Sequence, residues 1–191
     1  MGREFELKYR VSEEAFSAIR SAYGPFSSIT METTYYDDPE GSLGKCRWTL
    51  RRRYENGVSV CTVKTPADQG ARGEWEAECG DILTAIPLLV EKGAPEQLLA
   101  TARRGVVTVC GARFTRLAAL LRAGDATVEL ALDRGHLLGG GEELPFAEVE
   151  VELKEGSEEA AAAFGAQLAA RYGLIPEPRS KVQRALALAK R

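Results

Sequence analysis

Phe146-Ala147-Glu148-Val149-Glu150-Val151-Glu152-Leu153-Lys154 alternates charge with hydrocarbon at every step from Glu148 onward. A period of two belongs to a β-strand, whose successive side chains leave opposite faces of the sheet. Glu148, Glu150 and Glu152 therefore share one face, and Val149, Val151 and Leu153 share the other. The other end of the chain repeats the pattern. Glu4-Phe5-Glu6-Leu7-Lys8-Tyr9-Arg10 places Glu4, Glu6, Lys8 and Arg10 on one strand face, opposite Phe5, Leu7 and Tyr9.

The segments between read mostly as strands. Ile29 to Tyr36 is rich in Thr and Tyr, and Asp37-Asp38-Pro39-Glu40-Gly41 makes a loop. Trp48 to Tyr54 and Val58 to Thr65 flank Asn56-Gly57, a tight hairpin turn. Gly73 to Cys79, Val106 to Val109, Phe114 to Leu121 and Thr127 to Asp133 complete the expected strands. Helices are predicted after Ser12, which caps Glu13-Glu14, over Asp81 to Lys92, and from Pro95 to Gly105. Two more are predicted over Ser157 to Tyr172 and from Ser180 onward. Gly139-Gly140-Gly141 sits between two strands with no helix after it, which argues against a glycine-rich phosphate loop. Without a linker or repeat, residues 1–191 are expected to form one domain.

Composition narrows the functions. The 191 residues carry a net charge of −3, against the basic balance of a typical nucleic-acid binder. No run approaches the ~20 apolar residues of a membrane helix. Strand-like alternation begins at once, so no signal peptide is expected. Cys46, Cys61, Cys79 and Cys110 stand far apart, as reduced thiols of a cytoplasmic protein do. His136, the single histidine, reads as a surface residue at a loop start rather than a base.

Charges fall by strand parity. Arg51 and Arg53 share a face, while Arg52 lies with Trp48 and Leu50 on the other. Thr62 aligns with Lys64, and Arg72, Glu74, Glu76 and Glu78 align opposite Trp75 and Ala77. Glu129 and Asp133 oppose Val128, Leu130 and Leu132. One such face alone is the wet side of an antiparallel sheet. Taken together, with helices needing the apolar faces, they predict an α+β fold. Its core is a closed antiparallel barrel of about eight strands with helices outside and charges inside. Inward charges must be paired or serve a ligand. Crowded carboxylates suit a hard cation, Mg²⁺ or Mn²⁺, and arginine forks suit phosphate oxygens.

Glu4-x-Glu6-x-Lys8 resembles the ExExK signature of the CYTH superfamily, the triphosphate tunnel metalloenzymes. Leu50-Arg51-x-Arg53, Thr62-x-Lys64, Arg72-x-Glu74-x-Glu76, Arg116, Glu129 with Asp133, Glu148-x-Glu150-x-Glu152 and Ser180-Lys181 follow in that family's order. The resemblance implies an eight-stranded tunnel that binds a small-molecule triphosphate with Mg²⁺ or Mn²⁺, without nucleic acid or membrane. It implies that Glu4, Glu6, Glu148, Glu150 and Glu152 hold metal. Lys8, Arg51, Arg53, Lys64, Arg72, Arg116 and Lys181 would bind phosphoryl oxygens. Lys8, Glu76, Glu129 and Asp133 would serve the reaction, the acids by positioning water.

Hydrolysis of inorganic triphosphate, or of a simple organic one, is the favoured activity within that family. A class IV adenylyl cyclase is expected to carry a His-Phe pair ahead of ExExK, where this chain has Met1-Gly2-Arg3. A thiamine triphosphatase would want an aromatic platform, yet Trp48 and Trp75 take the apolar parity. A module that only binds polyphosphate or nucleotide would need the bases more than the acids. Oligomeric state is not written in the sequence.

Overall fold

In a computed structural model, residues 5–66 and 73–189 are described. Nine strands pair in one antiparallel sheet among them. These are β1 (Glu6–Arg10), β2 (Ser27–Asp37), β3 (Thr49–Glu55), β4 (Val58–Lys64), β5 (Glu74–Glu78), β6 (Val107–Ala123), β7 (Ala126–Gly139), β8 (Glu142–Glu155) and β9 (Ile175–Pro176). Their order is β5-β4-β3-β2-β6-β7-β8-β1-β9. The six helices are α1 (Glu13–Tyr23), α2 (Ser42–Lys45), α3 (Ile82–Glu91), α4 (Gln97–Arg104), α5 (Glu158–Tyr172) and α6 (Lys181–Ala189).

Local chemistry accounts for most boundaries. The hydroxyl of Ser12 accepts the Ala15 amide at 3.2 Å and that of Ser157 the Ala160 amide at 3.2 Å, each supplying a missing helix-terminal partner. Asp81 caps α3 by accepting from the Thr84 amide at 2.8 Å. Asn56 and Gly57 both take positive φ, as a primed hairpin turn requires. The glycine run does the same between β7 and β8 through Gly140 and Gly141.

Four expectations change. The two segments Val106–Val109 and Phe114–Leu121 are one strand, β6, running through Gly111, where a Cβ would stand 2.9 Å from the Thr33 carbonyl oxygen. Strand β7 continues past Asp133 through Gly135, where a Cβ would lie 2.1 Å from the Arg113 carbonyl oxygen. That glycine permits close backbone approach instead of starting a loop, so His136 is a half-buried strand residue. The sheet has nine strands, and no ladder among the described residues joins its edges β5 and β9. Strand β9 is two residues long and ends in Pro176, which has no N–H to extend the pairing.

The fourth change concerns α6. Helices α1 and α5 cover Val128, Leu130, Leu132, Val149 and Val151, and α3 and α4 cover Leu50, Cys61, Val63 and Ala77. Both pairs lie on the apolar parity, the outer face. Helix α6 packs on the opposite face, with Ala185 against Met31, Tyr35, Ala112, Phe114, Leu137 and Phe146. Phe114 shares parity with Arg116, Leu137 with Asp133 and Phe146 with Glu148, while Met31 lies across from Phe114 and Tyr35 across from Arg51. The inner face is therefore charged along part of its length and apolar where α6 seals it. A helix placed outside by its hydrophobic stripe is an inner plug.

A charged inner face as the candidate site

Register aligns the acids in rows across three strands. Glu6 lies opposite Glu152, which lies opposite Glu129. One pleat along, Lys8 faces Glu150, whose other neighbour is Ala131. In the next row Arg10 faces Glu148, Glu148 faces Asp133, and Asp133 faces Arg116. The bases gather on the far strands. Tyr35, Arg51, Thr62 and Glu76 form one row, and Thr33, Arg53, Val60 and Glu78 another. Parity expected these alignments, and pairing brings the separate strands to one face.

The acid side is a network. Arg116 donates Nε to Asp133 at 2.8 Å and one Nη to the other Asp133 oxygen at 2.7 Å. The same Nη donates to Glu150, and Glu129 stands 3.9 Å from the other Nη. Burial alone would lower the guanidinium's pKa, but the Asp133 hydrogen bonds with the charges of Asp133, Glu150 and Glu129 hold it above its usual value. Lys181 of α6 reaches Asp133 at 2.7 Å and Glu150 at 2.8 Å, and also pairs with Glu148. Burial pushes the Glu150 carboxyl up, yet Lys181 and Arg116 outweigh it and hold it well below the usual range.

Asp133, Glu148 and Glu150 each present an oxygen within 4.8 Å of the others, an arrangement a metal could use. Lys181, however, contacts all three. The row Glu6, Glu152 and Glu129 is more open. Lys8 stands 3.7 Å from Glu6, and Lys154 stands 2.8 Å from Glu152 and 3.8 Å from Glu129. Oxygen donors in adjacent register, faced by long lysine chains that can swing aside, fit a hard divalent cation.

Of the residues expected to bind phosphate, Arg51, Arg53 and Lys64 lie on the basic side, while Lys8, Arg116 and Lys181 lie among the acids. Arg51 is half-buried, and its buried Nε meets no hydrogen-bond partner among the described residues. Burial, then the neighbouring Arg53 charge, lowers its pKa. Arg53 donates to Thr33 at 3.4 Å and pairs with Glu55 at 3.3 Å. Lys64 pairs with Glu74 at 2.9 Å, and Glu76 accepts the Thr62 hydroxyl at 3.0 Å. Arg52 lies on the outer face and donates to the Gly80 carbonyl at 3.2 Å. Glu4 and Arg72 lie outside the described residues.

Two contributors escaped the sequence reading. Arg184 of α6 pairs with buried Glu148, and Lys154 bridges Glu152 to Glu129. Parity held a signal for Lys154, which alternates in step with Glu152. Arg184 had one only through its three-residue spacing from Lys181 on a helix whose side of the sheet was misjudged.

Relatives agree with this architecture. The chain is 27% identical over 173 residues to an inorganic triphosphatase of Haemophilus influenzae, across 82% of this chain and 47% of that protein. It thus spans about half the length of that curated relative. A Hippeastrum structure, of a proposed adenylyl cyclase described as having a dominant triphosphatase activity, superposes with a TM-score of 0.71 at 23% identity, covering 98% of this chain and 95% of that one. A Pyrococcus horikoshii protein gives a TM-score of 0.62 at 24% identity, covering 98% and 99%. At these identities the two structures show the fold. The CYTH domain model matches residues 2–186, so the chain belongs to the CYTH family.

Proposed function

We propose that this chain hydrolyses a small-molecule triphosphate, inorganic triphosphate first, with Mg²⁺ or Mn²⁺ on its inner face. The observation that carries this reading is the division of that face into a wall of bases (Arg51, Arg53, Lys64) and an open row of acids (Glu6, Glu152, Glu129). The triphosphatase named among its relatives adds support. No helix among the described residues is long and apolar enough to cross a membrane.

Glu6 and Glu152, with Glu4 beyond the described residues, would hold the cation. When bound, it supplies charge neutralisation on the phosphoryl oxygens and a more acidic water. Arg51, Arg53 and Lys64 bind oxygens of the chain, and the unpartnered Arg51 Nε is a donor waiting for one. Lys8, flanked by Glu6 and opposite Glu150, offsets charge between the two walls. Of the candidate water-positioning acids, Glu129 stays at the open row. Asp133 is fully buried, with its oxygens taken by Arg116 and Lys181. Glu148 is held beneath α6 by Lys181 and Arg184, so of Glu148, Glu150 and Glu152 the last is the most accessible. Positioning and charge neutralisation are what phosphoryl transfer requires.

The test is release of orthophosphate from triphosphate, ATP and thiamine triphosphate in parallel, with Mg²⁺, Mn²⁺ or excess chelator. Release from triphosphate that stops in chelator is the expected result. Undiminished turnover in chelator would remove the metal, and cyclic AMP as the main product of ATP would make the chain a cyclase.

A further inference from the structure

The charge alternation of β8 ends in Lys154, and the sheet holds that residue differently from the glutamates before it. Val128 of β7 faces Leu153, and Thr127, the very next residue, faces Glu155. Lys154 is therefore the extra residue of a β-bulge, with none opposite it. A bulge re-aims a side chain. Here the Lys154 ammonium stands 2.8 Å from Glu152 and 3.8 Å from Glu129, joining two strands of the open acid row. Its side chain is 37% exposed, against 14% for Arg116, which serves the deeper acids. Pairs as open as those of Lys154 contribute little to stability, so this ammonium can leave its carboxylates at small cost. A hard divalent cation seeks the same oxygens, and an ammonium left beside them repels it.

We propose that Lys154 is a tethered counter-ion that competes with the divalent cation for Glu152 and Glu129. The inference rests on the triphosphatase reading, which puts the metal at this row. Loading the row is then an exchange: Lys154 gives up Glu152 as the metal takes it. Two consequences of opposite sign follow. Lys154 weakens metal binding, and it supports the fold while no metal is bound. A lysine that only braced the strands would do the second and not the first.

Lys154→Met keeps the length of the side chain and removes its charge. Mn²⁺ binding without triphosphate, followed by calorimetry or by the EPR signal of the free ion, should be roughly 10-fold tighter in this variant than in the parent. Lys154→Arg, which keeps the charge, should stay within about two-fold of the parent. The rise in melting temperature on adding Mn²⁺ should be larger for Lys154→Met, because the bound ion stabilises only the folded state. Added KCl should narrow the gap between variant and parent by screening. A Met variant that binds Mn²⁺ no more tightly than the parent overturns the proposal, as does an Arg variant that binds as tightly as the Met variant. A parent that binds no Mn²⁺ beside a Met variant that does would show the lysine winning the exchange. If neither binds, the metal at this row and the role of Lys154 fall together. Tighter binding by Lys154→Met in a chain that hydrolyses no triphosphate would remove the activity and keep the lysine's role. Mn²⁺ binding by the parent with no gain in the variant would do the reverse.

Discussion

Arg51 and Arg52 are adjacent in the chain and opposite in the sheet. Arg51 turns inward to a row with Thr62 and Glu76, while Arg52 reaches the Gly80 carbonyl on the outer face. Charge-assisted hydrogen bonds contribute about 1.5–3 kcal/mol each, so Arg51→Ala should raise the KM for triphosphate by roughly 10- to 100-fold. Arg52→Ala should change it less than about two-fold, as exposed pairs contribute little. Steady-state kinetics of the two variants decide the matter, and equal losses would mean the register has been misassigned. This contrast was legible from parity alone. The partners of Arg116 were not, because Asp133 and Glu150 lie 17 and 34 residues away and only the pairing of β6, β7 and β8 unites them.

At the scale of elements, two strand glycines, Gly111 and Gly135, are points of close approach. At Gly135 a Cβ would meet the Arg113 carbonyl oxygen at 2.1 Å and the Phe114 Cα at 2.5 Å, both backbone atoms that cannot swing away. Gly135→Ala should therefore destabilise by about 1–3 kcal/mol, the cost of overpacking, and lower the melting temperature by several degrees. Gly80→Ala, where a Cβ would meet nothing within 4 Å, should leave it nearly unchanged. Thermal melts of both variants test this, and an unaffected Gly135→Ala would show that β6 and β7 do not pack so closely. Composition cannot separate a loop glycine from a strand glycine, since what differs is the neighbour across the sheet.

Across the whole molecule, depressed carboxyls at three places tie acid stability to the fold. Glu150 is held low by Lys181 and Arg116 against its burial, and Asp38 by the Ser42 amide and Arg104 against its own. Glu177, between β9 and α6, falls from an ordinary 4.5 to about 2, chiefly through hydrogen bonds from the Arg179 side chain. A carboxyl that binds its proton more weakly when folded stabilises the fold above its unfolded pKa. That contribution is lost as pH falls through the folded value. For Glu177 the window runs from pH 4.5 to about 2. Glu177→Gln should be less stable than the parent at pH 7 and lose less on acidification through that window. Urea unfolding at pH 7 and pH 3 measures it, and parallel losses in both proteins would remove Glu177 from the acid response.

By itself the sequence determined the strand faces, the caps of α1, α3 and α5, the Asn56-Gly57 turn and the family. Each rests on local periodicity or on side chains within a few residues of the backbone they serve. Only the tertiary structure decided which acids stand together, that the sheet edges remain apart among the described residues, and that α6 lies on the inner face. An amphipathic helix declares an apolar stripe but not the surface that will cover it. Here the inner face is apolar where α6 lands, because Phe114, Leu137 and Phe146 share parity with Arg116, Asp133 and Glu148 further along their strands, and Met31 lies across from Phe114. Long-range pairing therefore chose the inner face for α6, and brought Lys181 onto Asp133, Glu148 and Glu150.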